Sequence, residues 1–168
     1  MATATVIGLK SKSDAAWANI NKQLQGMEPF LDKSDTPGEW TTRQVICHLL
    51  FEPGWDPVAL LKSFSTSNLP VVEIKGSLAD TSGSRQTASL KQLLDSLDAQ
   101  RKAIYRYLEG LSDADLKRKA RIPLFKELMG SEEVPIPVYV GALFDYHWND
   151  HAGQLAKIRK AAGLPDAK

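Results

Sequence analysis

The segment DYHWNDHAGQL, residues 145–155, carries two of the chain's three histidines within an apolar pattern of helical period. His147 and His151 lie four residues apart, which is one helical turn. A wheel of about 100° per residue places six further residues on their face: Val140, Leu143, Phe144, Gln154, Leu155 and Ile158. An apolar helix face packs against the core, so both rings are predicted to point inward.

Four segments with apolar residues at helical spacing predict the fold. The first, residues 13–32, has the stripe Trp17, Ile20, Leu24, Met27 and Leu31. The others are 41–51 with Thr41 or Thr42 as cap, 86–109, and a segment from the Pro135 and Pro137 pair to 162. Further helical pieces are expected over 57–64 and 112–119. The fold class is therefore an all-α, antiparallel four-helix bundle in a single domain, residues 1–168.

The connection over residues 65–84 is turn-rich, and a structureless connection of this length is often functional. Its only strand candidate is VVEI, residues 71–74.

The third histidine, His48, falls on the apolar part of the second segment's inward face. That face also carries Thr41, Gln44, Val45, Phe51 and Glu52. Burying three imidazoles without partners is costly, and one shared metal ion would satisfy them together. Such a nitrogen site suits zinc, nickel, iron or copper better than magnesium or calcium. The alternative is three histidines hydrogen-bonded within the core, since an HxxxH pair alone is a weak motif.

Three protein ligands would leave a position on the metal for water or substrate. Glu52 is predicted to act as the general base or as a further ligand, or else as an exposed residue at a helix end. Asp150 could accept the second ring N–H of His147, or be a solvated charge. Gln154 and Gln44 are expected to support the site by hydrogen bonds.

Two further residues stand out in apolar stripes. Arg101, between Leu97 and Ile104, could bind the anion of a substrate or thiol cofactor, or extend to the edge of the core. Cys47 is rotated about 100° from the direction of His48 and is read as a small core residue.

The composition limits the class of partner. Lys and Arg total 21 against 20 Asp and Glu, so no nucleic-acid binding is expected. No apolar run reaches the roughly 20 residues that span a bilayer, so no membrane association is expected. A single cysteine and no visible signal peptide favour a reducing compartment, and a cytoplasmic location is predicted.

The segments HWNDHAGQL (147–155) and WTTRQVICHL (40–49) resemble the two motifs of the DinB-like (YfiT-like) superfamily. Gln44 stands where that family usually has an acidic residue. The resemblance implies a four-helix bundle with long crossover connections. The chain is expected to be a monomer or, by that resemblance, a homodimer. It also implies a divalent metal, often nickel or zinc, held by three histidines and completed by water. Relatives include bacillithiol S-transferases and a mycothiol-dependent maleylpyruvate isomerase.

The predicted function is a metal-dependent enzyme acting on a small-molecule substrate. It would be a thiol S-transferase that uses a low-molecular-weight thiol, or a hydrolase. Zinc or nickel is the expected metal, and iron would also fit. The alternative is a non-catalytic or stress-related bundle in which the ion is a structural pin or is sequestered.

Overall fold

A computed structural model of the protein describes residues 1–74 and 79–167. Its α-helices are α1 (Ala4–Leu24), α2 (Thr42–Leu49), α3 (Pro57–Ser63), α4 (Leu90–Leu108), α5 (Pro123–Met129), α6 (Ile136–Gly141) and α7 (Asn149–Ala161). A π-helical segment, Ala142–Trp148, joins α6 to α7. Short 3-10 turns cover Glu28–Phe30, Gly83–Gln86 and Asp115–Lys117. Two strands, β1 (Lys119–Arg121) and β2 (Glu133–Pro135), form an antiparallel hairpin.

The starts of the bundle helices follow their caps. Helix α2 begins after Thr41, as predicted, because Thr41 and Gln44 form a reciprocal capping box. Helix α4 begins after Ser89, which forms the same box with Gln92, so the predicted start at residue 86 was early. Helix α1 begins nine residues before the predicted Ser13, where the Thr3 hydroxyl accepts from the Val6 N–H at 3.3 Å. The apolar period is weak there, so the sequence pattern gave no helix signal.

Helix α1 runs parallel to the continuous helical stretch formed by α6, the π-helical segment and α7. Lys12, in the first half of α1, forms an ion pair with Asp145 at 2.9 Å. Arg159, near the end of α7, donates to the Gln23 carbonyl at 3.2 Å, near the end of α1. Contacts between early residues at one end and late residues at the other define a parallel pair.

Helices α2 and α4 also run parallel to each other. At their beginnings, Arg43 donates to the carbonyl of Ala88, the residue before the Ser89 cap, at 2.7 Å. Further along both helices, Gln100 donates to the Leu49 carbonyl at 3.1 Å.

The two parallel pairs are antiparallel to each other, because Lys10 at the start of α1 meets Glu109 at the end of α4 at 2.6 Å. The bundle is thus up-down-down-up, an order that requires long crossover connections, as the family resemblance implied. The antiparallel order expected from the helical stripes holds between the two pairs and not within each pair.

The two long connections are joined through β1. Ser65 pairs with Lys119 and Val71 pairs with Arg121 as isolated bridges. Val71 alone of the VVEI segment pairs in this way, so that segment is a bridge and not a strand of the hairpin. Residues 75–78 of the predicted loop lie outside the described residues. Helix α5 and the hairpin were not predicted, because each covers too few residues for a periodic pattern to stand out.

The core lies between the four helices of the bundle, which are α1, α2, α4 and the stretch from α6 to α7. The stripe predicted for the first helix is buried as expected at Ile20, Leu24, Met27 and Leu31, although α1 itself ends at Leu24. Trp148 is also fully buried, although the wheel did not place it on the inward face. Within the described residues, no helix combines the length and the apolar character needed to cross a membrane.

Candidate metal centre

The three histidines come together from three different elements. His48 lies in the last turn of α2, His147 in the π-helical segment and His151 in the first turn of α7. One ring nitrogen from each lies within 4.8 Å of the other two, and the Nε2 atoms of His48 and His147 are 2.8 Å apart. Among residues 1–74 and 79–167, no carboxylate or cysteine sulfur joins this group.

The rings are half-buried and pack edge to face. Ring centroids are 4.9 Å apart for His48 and His147, and 4.7 Å apart for His147 and His151. Burial, with smaller effects from the His151 and His48 rings, lowers the pKa of His147 to about 3. His147 is therefore neutral at physiological pH and retains a nitrogen lone pair, as a metal ligand requires.

Gln154 fixes the tautomer of His151. The Gln154 Oε1 atom lies 2.8 Å from Nδ1 of His151. An amide oxygen only accepts, so Nδ1 carries the proton and donates it. The lone pair of a neutral His151 ring is then on Nε2. The structure thus places Gln154 where the sequence predicted a supporting hydrogen bond.

Trp40 forms an aromatic wall beside two of the histidines. Its ring centroid is 4.7 Å from that of His48. It also stacks nearly parallel to His151, at 6.1 Å and an interplanar angle of 14°. In the sequence, Trp40 stands out only as part of a motif, because nothing local indicates that a loop residue will lie over two helices.

Gln100 on α4 fixes the chain directly after His48. Its side chain accepts from the Phe51 N–H at 2.8 Å and donates to the Leu49 carbonyl at 3.1 Å. Helix α2 ends there, and Leu50 is extended with φ −79° and ψ 140°. The helical spacing that predicted Glu52 one turn beyond His48 therefore does not hold. No signal in the sequence identifies Gln100, because its partners come from a different helix.

The two other supporting residues predicted from sequence lie away from this role. The Gln44 side chain caps α2, where its Oε1 accepts from the Thr41 N–H at 2.8 Å. Asp150 is exposed on α7, as in the alternative reading of a solvated charge.

Arg101 is paired within the protein. It is 9% exposed, forms an ion pair with Asp14, and contacts Asp98 at 2.8 Å. Its guanidinium also lies over the Trp17 ring at 5.6 Å. Two carboxylates already compensate the charge that was predicted to bind an anion.

Cys47 is 1% exposed and packs in the core, as predicted. Burial raises the pKa of its thiol and outweighs the opposing effect of Arg85 and Arg43, so the sulfur stays protonated.

The sequence of the chain matches the DinB superfamily over residues 13–155. The chain belongs to the DinB superfamily. No curated protein matches it. Among solved structures, the chain is similar to YfiT from Bacillus subtilis. That protein is described as a probable metal-dependent hydrolase with an unusual four-helix bundle topology. The TM-score is 0.69 at 20% identity, over 94% of this chain and 89% of that chain.

This likeness confirms the all-α four-helix bundle predicted from sequence. The parallel pairing of α1 with α6–α7 is a departure from the up-down-up-down order of simple bundles. At 20% identity, the similarity establishes the fold of this DinB-superfamily protein and leaves its chemistry to be argued from its own residues.

Proposed function

We propose that this DinB-superfamily protein binds one divalent transition metal through His48, His147 and His151 and uses it in a hydrolytic or thiol-transfer reaction on a small molecule. The observation that carries the proposal is the convergence of three ring nitrogens within 4.8 Å. Their chemistry fits such an ion, because His147 is held neutral and His151 is held in one tautomer.

The donor set favours zinc or nickel, with iron as a further fit, over magnesium or calcium. Imidazole binds a metal as an uncharged ligand, so the full charge of the bound ion would be available to stabilise an anion. When bound, such an ion acts as a Lewis acid and lowers the pKa of a coordinated water or thiol. Each of the three histidines is only partly buried.

Residues around the three histidines would orient the ligand rings and limit the access of water to the metal. Gln154 holds the His151 ring by its Nδ1–H, and Gln100 fixes the chain after His48. Trp40 packs against the His48 and His151 rings, where it would limit the access of water. Because Glu52 loses its predicted helical relation to His48, the proposal assigns it no role as general base.

Hydrolysis is the leading reaction class. The structurally similar protein from Bacillus subtilis is described as a probable metal-dependent hydrolase. Thiol transfer needs the same metal and an added low-molecular-weight thiol, and Arg101 would not recruit that thiol because two aspartates already pair with it.

The test is a screen of metal-loaded protein against generic esters and amides, and against electrophiles with and without low-molecular-weight thiols. His147→Ala serves as the inactive control and Glu52→Gln as the matched active control. Turnover that is lost in His147→Ala and retained in Glu52→Gln supports the proposal.

A non-catalytic centre gives a different result. The ion would then exchange no water, chelation would lower the melting temperature strongly, and no substrate would turn over. That combination would reject the enzyme proposal and indicate a structural metal site.

A further inference from the structure

The change from π to α geometry occurs at Asn149, between His147 and His151. The backbone N–H of Asn149 donates to the Tyr146 carbonyl, three residues earlier. In a regular α-helix this N–H would donate to the carbonyl of Asp145. The Asp145 carbonyl accepts from the side-chain Nδ2 of Asn149 at 2.7 Å. The side chain of Asn149 thus bonds the carbonyl to which its backbone N–H would donate in a regular α-helix.

The same side chain ties this turn to α1. The Asn149 Oδ1 atom accepts from Asn19 Nδ2 at 3.0 Å. The Asp145 carboxylate is held from the same helix by Lys12, at 2.9 Å. Both ends of the amide of Asn149 are therefore used, one on its own helix and one on the neighbouring helix.

This geometry bears on the direction of the His147 ring. In a π segment the hydrogen bonds span five residues instead of four, so each residue advances by less than the ~100° of an α-helix. His147 belongs to the π segment and His151 to α7. The angle between their rings depends on where the π geometry ends, and Asn149 marks that point.

We propose that Asn149 is a positioning residue for the metal centre: its amide holds the π-to-α transition that aims His147 at His48 and His151. This rests on the proposed metal function. Asn149 itself is exposed and touches the site only through the backbone. Exposed hydrogen bonds add little to global stability, so its effect is expected mainly on the geometry of the rings.

The chain offers a matched control. Asn21 makes the same contact in α1, where its Nδ2 donates to the carbonyl four residues earlier, Trp17, at 2.8 Å. Asn149→Ala and Asn21→Ala therefore both remove a side-chain bond to the carbonyl four residues earlier, and Asn149→Ala also removes the bond to Asn19. Asn149→Ser is the conservative variant, because a serine hydroxyl can donate to the carbonyl four residues earlier.

The first measurement is zinc or nickel affinity of the full chain, by competition with a chelator. Asn149→Ala is expected to weaken binding by about 10- to 100-fold, as for other residues that orient ligands. Asn21→Ala should stay within about twofold of the wild type, and Asn149→Ser should recover most of the loss. Equal losses in Asn149→Ala and Asn21→Ala, or in Asn149→Ala and Asn149→Ser, would overturn the proposal.

The second measurement needs no metal. In the metal-free protein, NMR contacts between the His48 and His147 rings, whose Nε2 atoms are 2.8 Å apart, should persist in Asn21→Ala and weaken in Asn149→Ala. Unchanged ring contacts in Asn149→Ala would overturn the proposal. If the wild type takes up no metal, the proposed function fails, and these ring contacts alone decide the role of Asn149.

Discussion

The bundle contains two polar clusters that are satisfied in different ways. Around Arg101, a permanent cation meets carboxylates from α1 and α4, Asp14 and Asp98. Around His48, three rings meet one another, and the described residues contribute no carboxylate to the group. The first cluster balances its charge from within the chain. The second brings together imidazole nitrogens, the kind of donor that a transition metal ion prefers. The difference predicts that the first cluster contributes to stability and the second to metal binding.

Breaking the Arg101 cluster should give the largest loss of stability. Arg101→Met leaves Asp14 without its cation and Asp98 with Lys102 alone, and is expected to lower the free energy of unfolding by about 2–3 kcal/mol. This is less than for a fully buried pair, because Asp14 is 53% exposed. Denaturant unfolding of the metal-free protein measures it. Metal affinity of the folded variant should be unchanged, and a large loss of affinity would show that the two clusters are not separate.

Lys102→Met is the control for that experiment. Lys102 also pairs with Asp98, at 2.6 Å, but its side chain is 64% exposed. Exposed ion pairs contribute little, so this variant should unfold close to the wild type.

Removing the hydrogen bond that supports His151 should lower metal affinity and leave stability almost unchanged, the reverse of the effect of Arg101→Met. Gln154→Leu removes the acceptor for the Nδ1–H and is expected to weaken metal binding by about 10- to 100-fold, or roughly 1.4–2.7 kcal/mol. Stability of the metal-free protein should change little. Gln154→Glu keeps the acceptor and should retain binding, so equal loss in both variants would contradict the tautomer assignment.

The smallest expected effect is the contribution of the Asp98 carboxylate to stability, which depends on pH. Burial acts to raise the pKa of Asp98, but hydrogen bonds from Lys102 and Arg101 outweigh it and hold the pKa below its usual range. A carboxylate with a lowered folded pKa stabilises the protein above its unfolded pKa of about 3.9, and this contribution is lost as pH falls through the folded pKa.

Asp98→Asn should therefore cost about 1 kcal/mol at neutral pH. Its difference from the wild type should shrink as pH falls from about 5 towards 3. Urea unfolding over that range measures the effect. A difference that stays constant with pH would mean that the charge of Asp98 does not stabilise the fold.

The sequence predicted what depends on local rules. The cap at Thr41 and the apolar period around it place His48 inward, and the one-turn spacing of His147 and His151 places two rings together. These features need only hydrogen bonds and periodicity within one helix. They were sufficient to predict the fold class and the convergence of the three rings.

What the sequence did not predict depends on contacts between distant segments. Glu52 was placed by extending α2, but Gln100 of α4 binds the backbone where that helix ends. Arg101 lacked a predicted partner because Asp14 lies 87 residues away. The π segment before Asn149 departs from the ~100° wheel, and a periodicity argument assumes that wheel throughout.

Elemental analysis shows whether His48, His147 and His151 hold a metal ion. Protein purified without an affinity tag and without added metal should contain about one zinc, nickel or iron ion per chain. His151→Ala should lose most of that metal, while Arg101→Met should keep it. If the variant with all three histidines changed to alanine retains as much metal as the wild type, these histidines are not the ligands.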